Sequence, residues 1–270
     1  MITPGVLGFA QNVASALWRE RGPYVEQHVG DLAWGSNPPV GEAYLHLHDD
    51  AYAFDDGGTW HVGGEDYERV CDAALDAGAR VVALDAETEK TDALRRHGYE
   101  PDESKWLWHL HRTLDDLPPV TAEASAYDLD ERVDLHRAAW TGSKLTREVY
   151  DRVRATPPYR NDLDVLVRTP EGEPAAYVLA WYDEGSRSGE LEPVGTAADF
   201  RRRGYGAAAC VAALHRLRDA GATQAVVYAV SDPANPGPKA LYESVGFRAI
   251  DRHVEWLPPF RQNARQGGTT

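Results

Sequence analysis

Apolar and polar positions along this chain switch period in the same order twice. From Asp66 to Ala79 apolar residues recur at helical spacing and the segment closes on Asp76-Ala77-Gly78-Ala79. The apolar run Val81 to Leu84 follows, then Ala93-Leu94 and His97-Gly98-Tyr99. A second helical pattern, Ala207 to Ala222, closes on Asp219-Ala220-Gly221-Ala222 and precedes Ala225 to Tyr228, then Ala240-Leu241 and Val245-Gly246-Phe247. Two copies of one mixed α/β unit are predicted.

Between the two repeats lie further elements. The spacing predicts helices over 131–140 and from Thr146 toward Arg154, the second stopped by Pro157-Pro158. Strands are expected at 164–168, 175–182 and 190–196, the first two joined by a turn at Thr169-Pro170-Glu171-Gly172, and a last strand at 247–256. The connector Leu114-Asp115-Asp116-Leu117-Pro118-Pro119 separates a first domain, 1–119, from a second, 120–260. Residues 261–270 are polar and Gly/Thr-rich and read as a disordered tail.

The chemistry concentrates at Arg201-Arg202-Arg203-Gly204-Tyr205-Gly206, between a strand and a helix expected to begin near Ala207. Glycines there let backbone N–H groups approach an anion, and the helix N-terminus adds unpaired donors and the positive end of its dipole. The spacing is neither a P-loop nor a dinucleotide fingerprint. Alone it is compatible with an ordinary strand-to-helix turn. Downstream stand Asn235 and Ala240-Leu241-Tyr242-Glu243-Ser244-Val245-Gly246-Phe247.

The ordered pair, Arg-x-x-Gly-x-Gly and then Asn with Leu-Tyr-Glu-x-x-Gly-Phe, resembles the GNAT superfamily of acetyl-coenzyme A dependent N-acetyltransferases over about residues 122–258. That resemblance implies two tandem domains of the acyl-CoA N-acyltransferase fold, with a mixed sheet whose middle strands splay. It implies that Val194, Gly195 and Thr196 meet the pantetheine arm and that Arg201, Arg202, Arg203, Gly204, Tyr205, Gly206 and Ala207 surround the pyrophosphate. Asn235 would bond the pantetheine amide or cap the helix that follows. Tyr242 would be the general acid for the departing thiolate. Val194 and Thr196 also suit any strand, and a tyrosine in a helix can simply pack its ring.

An amine acceptor must lose a proton before or during attack. Glu190, then Glu192, are the candidate bases; two apart on one strand, they share a face. The competing reading is a charged strand edge facing solvent. The first repeat lacks this equipment. Its counterpart of the phosphate loop, Gly57 to Gly64, has no arginine, and Leu94 stands where Tyr242 does, which implies a degenerate first copy and one active site.

With 270 residues, 43% hydrophobic, the chain is long enough for two globular domains. No run reaches membrane-spanning length, and Met1 to Arg19 reads as a helix of the mature protein, so a cytoplasmic location is expected. A net charge of -15 excludes a basic nucleic-acid face and favours cationic ligands such as amines, though solubility explains it as well. Cys71 and Cys210 read as buried thiols. His46 with His48, and His109 with His111, alternate on expected strands without a third ligand, so no metal is expected. Trp106, Trp108, Trp140, Trp181 and Tyr182 are expected in the core and at the domain interface. The expected activity is acetyl transfer from acetyl-CoA to a primary amine, small molecule or antibiotic. A non-enzymatic acyl-CoA sensor and a protein or peptide N-acetyltransferase remain alternatives, and oligomeric state and acceptor are not legible.

Overall fold

The computed structural model describes residues 3–37, 43–48 and 51–259; the expected tail at 261–270 lies outside them. The first segment runs α1 (Pro4–Arg21), α2 (Val29–Gly35), β1 (Ala43–His48), β2 (Ala51–Asp56), β3 (Thr59–Gly63), α3 (Tyr67–Ala77), β4 (Arg80–Leu84), α4 (Thr88–Arg96) and β5 (Glu100–Thr113). The second runs α5 (Leu129–Ala139), α6 (Arg147–Ala155), β6 (Asp164–Arg168), β7 (Pro174–Asp183), β8 (Ser188–Thr196), α7 (Tyr205–Ala220), β9 (Gln224–Val230), α8 (Gly237–Ser244) and β10 (Arg248–Leu257). Local chemistry sets many boundaries. Thr3, Asp66, Asp128 and Thr146 cap α1, α3, α5 and α6 with side-chain oxygens. Gly78 and Gly221 close α3 and α7 in the left-handed conformation that glycine adopts without strain.

All ten strands form one sheet in the order β1-β2-β3-β4-β10-β5-β9-β8-β7-β6. The last strand of each segment is therefore exchanged. β5 lies against β9 of the second segment, β10 lies against β4 of the first, and the two pair with each other. Faces alternate as the strand period requires. Val178 and Ala180 pack into the α7 core, whereas Leu179 and Trp181 face Ala33 and Trp34 of α2 together with Leu129, Val149 and Tyr150. The first segment thus supplies a helix to the second segment's sheet.

The repeat is visible in the strand pairs. β3 and β4 run parallel only through Thr59↔Arg80, Trp60↔Val81 and His61↔Val82, as β8 and β9 do through Ser188↔Gln224, Gly189↔Ala225 and Glu190↔Val226. In the first segment a buried lysine closes the gap that opens: Lys90 Nζ donates to the Val62 carbonyl at 3.1 Å and pairs with Glu26 and Glu87, each at 3.3 Å. Glu26 also holds His61 at 2.5 Å. The would-be phosphate loop is mostly β3 itself, and the helix after it is capped by the Asp66 carboxylate. That carboxylate occupies the Arg69 N–H and repels a phosphate.

Among the described residues no helix is long and apolar enough to cross a membrane. Cys71 and Cys210 are buried free thiols. Trp181 is in the core as expected, but Trp140 is not: it is 50% exposed, because its indole N–H reaches out of α5's end to the Tyr177 hydroxyl at 2.8 Å. His109 stacks on His253 across the exchanged strands, Nδ1 to Nε2 at 2.8 Å, and His111 bonds Gln224 instead. His46 and His48 fall on β1, whose side chains are outside the described set. No group of residues able to hold a metal occurs among the described residues.

Candidate active site

β8 lies inside the sheet, which removes the solvent-edge reading of its two glutamates. Its pairing with β9 stops at Glu190↔Val226, while its pairing with β7 continues to Thr196↔Ala176. From Leu191 to Thr196 one edge of β8 therefore has no strand beside it, and its backbone groups need another partner. A bulge sits at this opening: Val178 pairs with Val194 and Ala180 with Leu191, so Leu179 alone faces Glu192 and Pro193. Val194 is buried against the α7 core and Thr196 is half-buried. Gly195 lies so close to Tyr177 that an added Cβ would come within 2.4 Å of the ring.

Past Thr196 a short helical turn, Ala198–Phe200, leads into the arginine loop. Arg202 (φ 62°) and Gly204 (φ 88°) are left-handed, separated by Arg203, and such alternation curls successive N–H groups toward one point. The N–H groups of Arg202 through Ala207 have no backbone acceptor among the described residues, and no side chain caps α7. The helix starts at Tyr205, two residues before the sequence expectation, because Gly204 serves as its N-cap without a capping side chain. Gly206 permits the approach of α7 to β8: a Cβ there would lie 2.8 Å from Thr196 Oγ1. The three arginines differ. Arg201 reaches back and braces the loop, donating to the Thr196 carbonyl at 3.2 Å and the Ala139 carbonyl at 2.7 Å. Arg203 lies over the rings of Phe200 and Tyr205, at 5.5 and 5.8 Å, and all three arginines are exposed.

Glu190 is fully buried at the point where the strands part. Its Oε2 lies 3.2 Å from His28 Nδ1, and its Oε1 has no protein partner. Asp31, one turn along α2, accepts the His28 backbone N–H at 2.7 Å and the Tyr228 hydroxyl at 3.3 Å. Gly30 is needed here for space, since a Cβ would meet Glu190 Oε2 at 2.2 Å. Burial pushes Glu190 and Glu192 each up to about 8; hydrogen bonds from Asp31 work against the push on Glu190 and the Glu192 charge adds to it, while the Asp31 charge adds to the push on Glu192. Burial and the Glu190 charge hold Asp31 well above the usual carboxylate range. Burial also takes His28 down to about 4, so the imidazole is neutral. Three carboxyl groups gather with no cationic partner among the described residues, a costly arrangement that a cationic or proton-bearing ligand relieves.

Tyr242 is buried beside Phe247, ring centroids 6.2 Å apart, in the core that includes Cys210. Burial raises its phenol well above 10, with Cys210 and Glu192 adding to it, so it stays protonated and able to donate. Asn235 does not cap α8; Pro236 holds the N-cap position and no side chain bonds the helix end.

His28 and Asp31 were missed from sequence, although their spacing before α2 has the form of a capping box, and both halves of that box are made. Arg132 was missed too. Fully buried, it pairs with Asp164 at 2.9 Å and lies 3.7 Å over the Tyr177 ring, fixing the residue that backs Gly195.

Comparison with known proteins agrees with this geometry. Residues 129–247 match the Acetyltransferase (GNAT) family. A mycothiol acetyltransferase of Corynebacterium aurimucosum is 29% identical over 191 residues, 68% of this chain and 55% of that protein. One from Thermobispora bispora is 29% identical over 237 residues, 78% of this chain and 73% of that protein. The chain thus spans about half the length of the first relative. Among solved structures, a tandem GNAT protein from the clavulanic acid biosynthesis pathway superposes with a TM-score of 0.57, at 14% identity, covering 93% of this chain and 94% of that one. At that identity the likeness is one of fold.

Proposed function

We propose that this chain, whose residues 129–247 match the GNAT acetyltransferase family, acts as a member of that family and transfers the acetyl group of acetyl-CoA to a primary amine on a small molecule. The observation that carries the reading is the strand gap itself. An unpaired β8 edge runs into a loop of free N–H groups at one end and begins at a cluster of carboxyl groups at the other. In this proposal Val194, Gly195 and Thr196 hold the pantetheine amides. Arg202 to Ala207 hold the pyrophosphate through their backbone, Arg201 braces them, and Asn235 bonds the pantetheine from the loop before α8.

The amine attacks the thioester carbonyl directly. A C–N bond forms, the C–S bond breaks, the amine proton goes to Glu190 at its free Oε1 or to Glu192, and Tyr242 protonates the leaving thiolate. Neither glutamate accepts a proton until it has lost its own, so transfer accelerates as pH rises through about 8. The first segment, 1–119, takes no coenzyme, and residues 120–260 carry the donor site; a cytoplasmic location belongs to the same proposal. The relatives named for mycothiol favour an acceptor of that kind as the first compound to try.

The test is thiol release from acetyl-CoA across primary amines, aminoglycosides, peptides and the mycothiol precursor, with Tyr242→Phe and Glu190→Gln alongside. Release by one small amine, lost in both variants, supports the reading. Binding of acetyl-CoA without release on any acceptor would leave a sensor, and release only with peptides would make the chain a protein acetyltransferase.

A further inference from the structure

Behind Glu190 a line of hydrogen bonds leads through the first segment's His28 and back to the second. His28 Nε2 lies 3.0 Å from Ser188 Oγ, Ser188 Oγ lies 2.6 Å from Ser186 Oγ, and Ser186 Oγ donates to Asp183 Oδ2 at 2.5 Å. Each donor in this line is fixed by the next. The Asp183 carboxylate only accepts, so the Ser186 proton points to it. Ser188 must then donate to Ser186, which leaves Ser188 Oγ to accept from His28, so the imidazole proton is on Nε2. Gly30 N–H, 3.2 Å from Nδ1, independently requires a lone pair there. Glu190 Oε2 faces that same lone pair at 3.2 Å, and only a protonated carboxyl can bond it.

We infer that Asp183, Ser186 and Ser188 are positioning residues that fix the tautomer of His28, and that His28 thereby keeps a proton on Glu190 in the resting protein. The inference rests on Glu190 being the base. It gives the first segment a part in the chemistry: α2 delivers the imidazole that sets when the base is available. Oε2 holds the resting proton, and Oε1 is the oxygen left to meet the amine. The other titratable groups facing Glu190 are Asp31 of α2, Glu192 of its own strand and Tyr228 of β9. Among the described residues none supplies a cation; hydrogen bonds from Asp31 favour the ionised Glu190, and the imidazole, whose tautomer the serine line sets, opposes them.

Ser188→Ala removes the hydroxyl that accepts the Nε2 proton and leaves His28 only its backbone contact with residue 188. A buried N–H that loses its hydroxyl acceptor is less favourable, so the imidazole proton shifts toward Nδ1, donates to the Glu190 carboxylate and favours ionisation. The expected result is read in two ways. Imidazole 15N shifts of the unliganded protein place the His28 proton on Nε2 in the wild type and on Nδ1 in Ser188→Ala. The carboxylic-acid infrared band that disappears in Glu190→Gln titrates about one pH unit or more lower in Ser188→Ala. Ser186→Ala moves both in the same direction, and Ser186→Thr, which keeps the hydroxyl, restores wild-type behaviour; this pair decides the matter if Ser188→Ala does not fold. An unchanged tautomer and band in the folded serine-to-alanine variants, or no band lost in Glu190→Gln, overturns the inference. The readouts need no acceptor. If they move as stated while Glu190→Gln still transfers acetyl at the wild-type rate, it is the base reading that fails.

Discussion

Glu190→Gln should make the protein more stable as it makes it less active, and by an amount that grows with pH. The carboxyl is fully buried and is pushed from 4.5 to about 8, chiefly by burial. Its folded-state pKa is thus raised. Below the unfolded value both states are protonated and nothing is lost; between the two values the unfolded chain releases a proton that the folded one retains, and stability falls as pH rises. A gap of 3.5, at about 1.4 kcal/mol per pH unit, makes the full loss on the order of 5 kcal/mol above pH 8, and about 3 kcal/mol at pH 7. Glutamine does not titrate. Its amide reproduces the protonated carboxyl, with an N–H for His28 Nδ1 in place of the acid O–H.

The measurement is urea unfolding of both proteins from about pH 5 to about pH 9, at steps of about one unit. The two should agree near pH 5 and diverge steadily, the variant being the more stable, until the difference levels off above about pH 8. For a chain of this size the pH 7 difference corresponds to roughly 6–12 °C in Tm. A difference that does not change with pH, or a wild type more stable at pH 8, would refute the reasoning, because either result means that Glu190 ionises in the folded protein near its ordinary value.

Two further outcomes follow from the site. Tyr242→Phe should lower kcat on the order of a hundredfold while leaving the Kd for acetyl-CoA within about twofold, as steady-state kinetics and calorimetry will show; a comparable loss in binding would make the phenol a packing residue. Calorimetry should also find one acetyl-CoA per chain, because Lys90 fills the first segment's gap and Asp66 its helix end; a stoichiometry of two would contradict that account.

The loop and tyrosine proposed for the donor side were legible as a pattern because they are local. The glycines at 204 and 206, the arginines beside them and the tyrosine of α8 act through backbone shape and neighbouring sequence, so a short pattern contains them. The spacing of Glu190 and Glu192 likewise gave a shared face, since strand period needs no tertiary knowledge. What lay beyond reach is long-range. His28 meets Glu190 across 162 residues, and nothing in its own neighbourhood says more than a helix cap. Trp140 was assigned inward on composition, but its position at the end of α5 leaves one ring face in solvent while its N–H is held by Tyr177. The strand exchange was hidden for a different reason: β5 and β10 follow equivalent helices in equivalent repeats, so pattern alone cannot decide which sheet half each one joins.

That exchange argues against a self-sufficient second segment. Cut at 119/120, residues 120–260 lose the strand that pairs with β9 from Gln224 to Val230, and β10 loses its partners on both sides, β4 and β5. β10 could move into the place of β5 only by giving up the His109 contact that now satisfies His253, and it would still leave the β9 side of the gap newly built. α2 would go as well, uncovering Trp181 and Leu179 and leaving Glu190 without His28. An unpaired, largely apolar edge and a bared apolar face are conditions for aggregation. Expressed alone, residues 120–260 should give no folded monomer by size-exclusion chromatography and circular dichroism, and co-expression with residues 1–119 should restore a soluble complex. A folded, active monomer from 120–260 alone would show that the exchanged strands are interchangeable and that the first segment's helix is dispensable to the base.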